Sequence, residues 1–550
     1  MKESTILKII ENNNSEKLSS ITSAKALVET LSEIGVDTIF GYPGAAVLSI
    51  YNELSEYKSI KHILVRHEQA AVHMAEGYAK VSGKVGTVLV TSGPGFTNTI
   101  TGIANAYADS TPLVVLAGDV SLSNTKGKVF QKVDILSMTK TCSKKNYLVT
   151  SKDDIKQVIE EAYEVANSGE KGPVVIALPR NILEGKYSPK VTKDLYRKKQ
   201  PQVSEYEYEK ACKLLYNSKK PLLLLGGGAV NSSEKIKELV NKTNLPVVST
   251  LMGLGAFPSK NDLFLGMIGV NGSTSANKAV AESDFILALG VSFSDRSTCK
   301  NTNFADNAKI VSINTKKTLQ GFEVEVLAST ETFLNGFLNY IERDKLPEIN
   351  DWIKTVQLFK EVKPSRQLST GTLHSSFVLD TIYEYTKDKN PVVVTDVGQH
   401  QMLTAQFFNF NEPKKFITSG GLGTMGYGLP ASIGAYLANP NNLVLNITGD
   451  GSFQMNLQEL ATCREHNIPV KIIIMNNGYL GMVKQMQEKI YDNLYQVKMI
   501  NPDFTKISEA YDLYAVRVTK PEELIPALEK SINHKGTAII DIAISSNEEI

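Results

Sequence analysis

Two short peptides hold the residue types best suited to chemistry: Gly449-Asp450-Gly451-Ser452 and Met475-Asn476-Asn477. The first follows the apolar run Leu443-Val444-Leu445-Asn446-Ile447, which reads as a buried parallel strand. Gln454 to His466, with Leu457, Leu460 and Ala461 at helical spacing, predicts a helix, and Val470 to Met475 a second strand. The unit is therefore strand, acidic glycine turn, helix, strand, Asn-Asn turn. Ligands of such units bind at the carboxyl ends of the strands, so Asp450 and Asn477 are both expected at that edge. A carboxylate, an amide oxygen and a main-chain carbonyl make a hard, all-oxygen half-shell. Mg²⁺ prefers such a shell when phosphates complete it. An ordinary crossover with polar turns is the plain alternative for this pair of peptides taken by itself.

Those elements must sit in a larger frame. A chain of 550 residues accommodates about three domains. Composition is that of a soluble globular protein, 42% hydrophobic and 21% charged. The net charge of +1 gives no reason to expect nucleic acid as a partner. Cys142, Cys212, Cys299 and Cys463 are scattered without a CxxC pair, which argues against a zinc site or a disulfide framework. A reducing, cytoplasmic setting follows. No apolar stretch reaches transmembrane length, so no membrane association is expected. Met1 to Ser20 is polar, lacks the apolar core of a signal peptide and reads as a loose leader.

Strand-like runs alternate with helical stretches along the chain, which implies an α/β fold of three domains, each a parallel sheet flanked by helices. The expected limits are 20–188, 205–343 and 371–550, joined by polar linkers at 189–205 and 344–370. In the first segment the strand-like runs are Thr38-Ile39-Phe40, His62 to Val65, Thr87 to Val90, Leu113 to Leu116 and Val174 to Leu178. The second begins with a Leu-rich strand followed by Gly226-Gly227-Gly228 and continues through Leu245 to Ser249, Phe285 to Gly290 and Lys309 to Ile313.

The spacing of the Asp450 and Asn477 peptides resembles the metal–diphosphate motif of thiamine-diphosphate (ThDP) enzymes. The resemblance implies Mg²⁺ ligation by Asp450, Asn477 and the carbonyl of Tyr479. It also gives a role to Glu68 in Arg66-His67-Glu68-Gln69, between a strand and a helix expected from Ala70 to Val81. Alone, a Glu there is explained by the helix dipole. In ThDP enzymes a glutamate of the first domain, after such a strand, meets N1′ of the cofactor's pyrimidine. The two halves of the site come from different subunits, so at least a homodimer is implied.

Further peptides narrow the family. They are Gly41-Tyr42-Pro43-Gly44, Thr91-Ser92-Gly93-Pro94-Gly95-Phe96-Thr97-Asn98, Phe130-Gln131, Gly398-Gln399-His400-Gln401-Met402, Ser419 to Pro430, and Asn476 to Val483. Together they resemble the large catalytic subunit of acetohydroxyacid (acetolactate) synthase, from about residue 20 to 545. That family decarboxylates pyruvate on ThDP and joins the two-carbon unit to a second 2-oxo acid, giving 2-acetolactate or 2-aceto-2-hydroxybutyrate. By family position, ThDP would be held by Tyr42, Pro43, Gly44, Glu68, Pro94, Asn98, Gln399, His400, Gly423, Met425, Gly449, Asp450, Gly451, Ser452, Asn477, Tyr479, Leu480, Gly481 and Met482. Gln399 and His400 would meet the diphosphate, and Met425 would bend the cofactor into its V shape. Phe130 and Gln131 would line the reacting centre. Arg296 would hold the acceptor carboxylate, a task suited to a planar guanidinium; a surface ion pair with Asp295 is the plain reading.

The middle segment resembles the family's FAD-binding domain. FAD would be held by Gly226, Gly227, Gly228, Asn271, Gly272, Asp295 and Arg296, in a largely structural role. Several positions depart from the family pattern. Ala45 replaces the second glycine after Tyr42-Pro43. Met486 stands where a Trp associated with 2-oxobutyrate preference is usual. Val270-Asn271-Gly272-Ser273 and Asn314-Thr315 depart from the usual flavin segments. The family usually continues beyond Ile550 into a covering segment, so a shortened chain or an absent lid is expected. A small regulatory subunit, and a homotetramer, are also within what the resemblance implies.

Two other readings stand beside this one. A related FAD- and ThDP-dependent carboligase would use another acceptor, such as a keto sugar. A non-catalytic ThDP-fold subunit would bind a partner only, which the joint presence of Glu68, Asp450 and Asn477 speaks against.

Overall fold

Parallel strands covered on both faces read as continuous apolar runs, and this chain is built from them. Val88-Leu89-Val90, Leu222 to Leu225 and Ile472-Ile473-Ile474 are all fully buried. The computed structural model describes residues 21–123, 127–188, 202–298, 304–318, 322–360 and 371–548. The leader 1–20, most of the linker at 189–205 and residues 361–370 of the second linker lie outside them, as does Cys299. No helix of the described residues is long and apolar enough to cross a membrane.

The chain divides into two compact units, residues 1–197 apart from 80–82, and 198–550 with 80–82. The first unit holds a six-stranded sheet of β1 (Thr38–Tyr42), β2 (Lys61–Leu64), β3 (Gly86–Val90), β4 (Leu113–Asp119), β5 (Lys145–Leu148) and β6 (Pro173–Pro179). Its order is β2-β1-β3-β4-β6-β5, and every pairing is parallel.

The second unit holds two sheets. One contains β7 (Pro221–Leu225), β8 (Val247–Ser249), β9 (Phe264–Met267), β10 (Phe285–Leu289), β11 (Lys309–Asn314) and β12 (Val324–Leu327), ordered β12-β11-β10-β7-β8-β9. That is the doubly wound dinucleotide-fold order, with its reversal between β7 and β10. The other contains β13 (Val392–Thr395), β14 (Phe416–Ile417), β15 (Val444–Gly449), β16 (Lys471–Asn476), β17 (Tyr514–Val518) and β18 (Ala538–Ala543). Its order, β14-β13-β15-β16-β18-β17, repeats that of the first sheet. These two sheets share one apolar core, in which Leu223, Leu225 and Leu289 belong with Val393, Leu445 and Ile473.

Two expectations need correction. The stretch read as a linker at 344–370 contains the helix Asn350–Lys360. Its polar composition hides Trp352 and Val356, which are buried against Leu222 and Leu224, and Trp352 Nε1 donates to the Pro221 carbonyl at 3.0 Å. Burial of one such side chain contributes roughly 1.5–3 kcal/mol, enough to dock a short helix. The single helix expected from Gln454 to His466 is instead Asp450–Met455, a 3₁₀ turn Leu457–Glu459 and Leu460–Glu465. Asn456 interrupts it with φ −135°, and its side-chain amide donates to the Gly426 carbonyl at 2.7 Å.

Candidate active site

In the second unit the candidate residues gather at the carboxyl ends of β13, β15 and β16. The register Gly449↔Met475 brings Asp450 alongside the Asn476-Asn477 turn. Asp450 is 2% exposed and begins the helix Asp450–Met455. Its Oδ2 accepts the N–H of Gly478 at 2.8 Å and the amide of Asn501 at 2.6 Å. Burial pushes its carboxyl above the ordinary range, against those hydrogen bonds. Asn477 Oδ1 accepts the N–H of Tyr479 at 2.9 Å, which shapes the turn carrying the Tyr479 carbonyl. Leu480 donates to Val497 and caps the helix Gly481–Tyr491, on which Met482 is half-buried.

His400 lies against the strand end just before Asp450. A Cβ on Gly449 would stand 3.0 Å from its ring, and one on Gly398 would stand 2.9 Å away. Burial pushes the imidazole down to about 4, so it is neutral, and its Nε2 is buried with no partner. Gln399 folds onto Gly481, where a Cβ would meet Oε1 at 2.0 Å, and its Nε2 donates to the Glu548 carbonyl at 3.0 Å. Ser452 Oγ donates to the Val397 carbonyl at 3.1 Å, tying the ends of β13 and β15. Gly451 packs near Leu480.

Met425 is half-buried in the loop before the helix Gly428–Ala438. Gly423 and Gly426 flank it at φ +75° and +85°, where a Cβ would be strained. Ser419 Oγ accepts the N–H groups of Gly423 and Thr424 at 3.1 and 2.9 Å. Asp396 accepts those of Gly426 and Gly428, both at 2.9 Å. Asp396 and Asn501 do not stand out in the sequence. Asp396 does follow directly on the strand that ends at Thr395, and Asn501-Pro502 is a turn signal.

A phosphate-bound cation fits this edge. It offers a buried carboxylate without a cationic partner on its oxygen Oδ2, an adjacent amide and carbonyl turn, and an orphaned imidazole nitrogen of the kind a phosphate oxygen satisfies.

The central sheet answers differently. The run Gly226-Gly227-Gly228 follows β7 at the order reversal, where a dinucleotide would lie. Yet a Cβ on Gly226 would stand 2.1 Å from the Gly290 carbonyl, and one on Gly228 would stand 2.9 Å from Gly290 Cα. Two of the three glycines thus admit the loop after β10. Gly227 and Gly228 remain exposed on their outer side. Gly272 closes a tight turn that donates to Gly269, and Asn271 accepts from Gln406 at 2.9 Å. Asp295 and Arg296 are exposed at the start of the short helix Asp295–Thr298, and the Arg296 carbonyl accepts from Val270 at 3.0 Å. The structure therefore brings Arg296 to the Asn271–Gly272 turn.

The first unit assembles its own group at the ends of β1, β2 and β3. Glu68 opens the helix Glu68–Ser82, with His67 as its N-cap, and is half-buried. Its Oε2 accepts the amide of Asn98 at 2.9 Å. A Cβ on Gly95 would stand 3.4 Å from Glu68 Oε1, and one on Gly44 only 2.5 Å from Thr91. Gln131, at φ +58°, packs on Gly93, and Ser92 Oγ donates to its Oε1 at 3.4 Å. Tyr42, Pro43 and Pro94 are exposed on this rim, as is Phe130 at 85%.

Family models match all three parts of the chain. They describe the N-terminal TPP-binding domain of thiamine pyrophosphate enzymes at residues 21–138, the central domain at 208–334 and the C-terminal TPP-binding domain at 396–542. Over 551 residues the chain is 39% identical to an acetolactate synthase large subunit of Haemophilus influenzae, covering 97% of this chain and 96% of that protein. It is 40% identical to one of Lactococcus lactis, covering 97% and 94%. It is 39% identical to the isozyme 3 large subunit of Escherichia coli, covering 96% of each. The chain belongs to the acetolactate synthase large-subunit family of thiamine pyrophosphate enzymes.

Proposed function

We propose that this protein joins two 2-oxo acids through a ThDP-dependent carboligation, as a step of branched-chain amino-acid synthesis. In the balanced reaction the C1–C2 bond of one pyruvate breaks and CO₂ leaves. A carbon–carbon bond forms to the carbonyl carbon of a second 2-oxo acid, and a proton completes the new hydroxyl. Nothing is oxidised or reduced overall. When bound, ThDP supplies a carbon centre that accommodates the electron pair released with CO₂.

The observation that carries this reading is the buried Asp450 beside the Asn477 turn, in a chain that also presents Glu68 at a helix N-terminus. Asp450, Asn477 and the Tyr479 carbonyl are proposed to hold Mg²⁺, with His400 and Gln399 toward the diphosphate. Met425, half-buried in the loop before the helix Gly428–Ala438, would support the cofactor. Glu68 supplies the carboxylate at N1′ of the pyrimidine, with Asn98 orienting it. Gln131 and Phe130 border the reacting carbon, and Arg296 receives the acceptor carboxylate.

FAD is proposed at the β7/β10 reversal, supported by the strand order and by the turn that joins Asn271 and Gly272 to Arg296. The domain limits proposed are 20–188, 205–343 and 371–550. We also propose a cytoplasmic homodimer or higher assembly, in which Glu68 of one copy serves the Asp450 site of another, and a small regulatory subunit as partner.

Product analysis tests the function. The protein, with ThDP, Mg²⁺ and FAD, is supplied with pyruvate alone and with pyruvate plus 2-oxobutyrate. Acetolactate from pyruvate alone is the expected result. A third arm adds a keto sugar to pyruvate; turnover in that arm alone favours the related carboligase, and no turnover in any arm rejects an enzymatic role.

A further inference from the structure

Behind Asp450 a chain of side chains runs inward. Asp541 on β18 is fully buried, and its Oδ1 accepts the amide of Asn476 at 2.9 Å. Asn476 Oδ1 accepts the amide of Asn501 at 2.9 Å. The same Asn501 nitrogen donates to Asp450 Oδ2 at 2.6 Å. Gln454 donates its amide to Asn501 Oδ1 at 3.1 Å and to the Asp450 carbonyl at 3.1 Å.

We propose that Asn501 is a positioning residue for the cation ligand Asp450, and that Asp541 sets the direction of the hydrogen bonds that reach it. The inference rests on the proposed role of Asp450 as a ligand.

An amide presents either an oxygen or an NH₂ to a neighbour, and the surrounding network decides which. As a carboxylate Asp541 only accepts, and its Oδ2 lies 3.7 Å from Arg517 Nη1, so Asn476 turns its NH₂ inward. The oxygen of Asn476 then faces Asn501, which must answer with NH₂. One hydrogen of that NH₂ serves Asn476, and the second is left for Asp450. Gln454 enforces the same choice by donating to the Asn501 oxygen. The opposite orientation would set an amide oxygen against a buried carboxylate. With the Gly478 N–H added, Oδ2 is held by two donors from different segments, which fixes the rotation of the carboxyl group. Partners that orient a ligating carboxylate in this way change metal affinity by about 10–100-fold.

The test is calorimetric titration of Mg²⁺ into the full-length protein in the presence of ThDP, for wild type, Asn501→Ala, Asp541→Leu and Asp450→Ala. Metal-free melting confirms that each variant is folded. The expected result for Asn501→Ala is a Mg²⁺ midpoint raised about 10–100-fold, with ThDP affinity restored at saturating Mg²⁺. Asp541→Leu shifts the midpoint in the same direction by less, because the Asn476 amide is freed to turn. A midpoint within about twofold of wild type for Asn501→Ala, while Asp450→Ala loses Mg²⁺ dependence, overturns the positioning role and leaves the ligand assignment standing. A shift for Asn501→Ala without one for folded Asp541→Leu overturns the role of Asp541. Unchanged Mg²⁺ dependence in Asp450→Ala overturns the ligand assignment and the inference with it.

Discussion

The first and third sheets thread their six strands in the same spatial order, yet each ends in a different kind of carboxylate. In the third sheet Asp450 is 2% exposed, pinned by Gly478 and Asn501, and follows the third strand of its sheet. In the first sheet Glu68 follows the second strand, is half-buried, and holds one side-chain amide, that of Asn98. The difference suits the two roles proposed for these carboxylates. A cation ligand gains from burial and a fixed rotation, because the ion supplies the missing charge. A carboxylate that must meet a heterocyclic nitrogen gains from a reachable oxygen at a helix N-terminus, where the dipole favours its charge.

Breaking the first half is expected to cost most. Glu68→Gln keeps the shape and the Asn98 contact but removes the carboxylate, and turnover should fall by about 10²–10⁴ while the melting temperature holds. Steady-state rates with pyruvate check this; a variant retaining half of the wild-type kcat contradicts the role.

The central sheet, with its different strand order, sharpens the comparison. In Gly226→Ala the new methyl would meet the Gly290 carbonyl, 2.1 Å from an ideal Cβ. Overpacking of that kind should lower stability by about 1–3 kcal/mol, read by denaturant unfolding, and leave Mg²⁺-dependent ThDP binding unchanged. An unchanged unfolding midpoint with weakened FAD binding would instead assign Gly226 to the flavin.

The smallest effect concerns the acceptor. Met486 is 54% exposed on the helix that follows the Asn477 turn. A flexible thioether should discriminate weakly, and Met486→Trp should raise the share of acetohydroxybutyrate from mixed acids. One methylene is worth about 1–3 kcal/mol at most. A wild type that already strongly favours 2-oxobutyrate in direct competition contradicts this.

The carboxyl ends of the strands were the readable part of this sequence. Gly449-Asp450 and Asn476-Asn477 each sit directly on the strand that positions them, so composition and spacing suffice. Asn501 was not readable, because it arrives on a separate loop held by the Met499 N–H to the Gly478 carbonyl and by the Tyr479↔Lys498 bridge. The helix Asn350–Lys360 was missed because its two buried anchors are scattered in a polar stretch. At Gly226 and Gly228 a sequence shows that a glycine admits close approach without showing that Gly290 approaches as well. Strand β14 is two residues long and offers no periodicity to read.

The division of labour between the two carboxylates is tested most directly by measuring ThDP affinity against Mg²⁺ concentration in Asp450→Ala and Glu68→Gln side by side. Asp450→Ala is expected to lose Mg²⁺-dependent binding, because the metal neutralises the diphosphate as it enters the protein. Glu68→Gln should bind ThDP with a wild-type dependence on Mg²⁺ while failing to turn over. If Glu68→Gln loses the Mg²⁺ dependence, or Asp450→Ala keeps it, the two sheets do not divide the cofactor in this way.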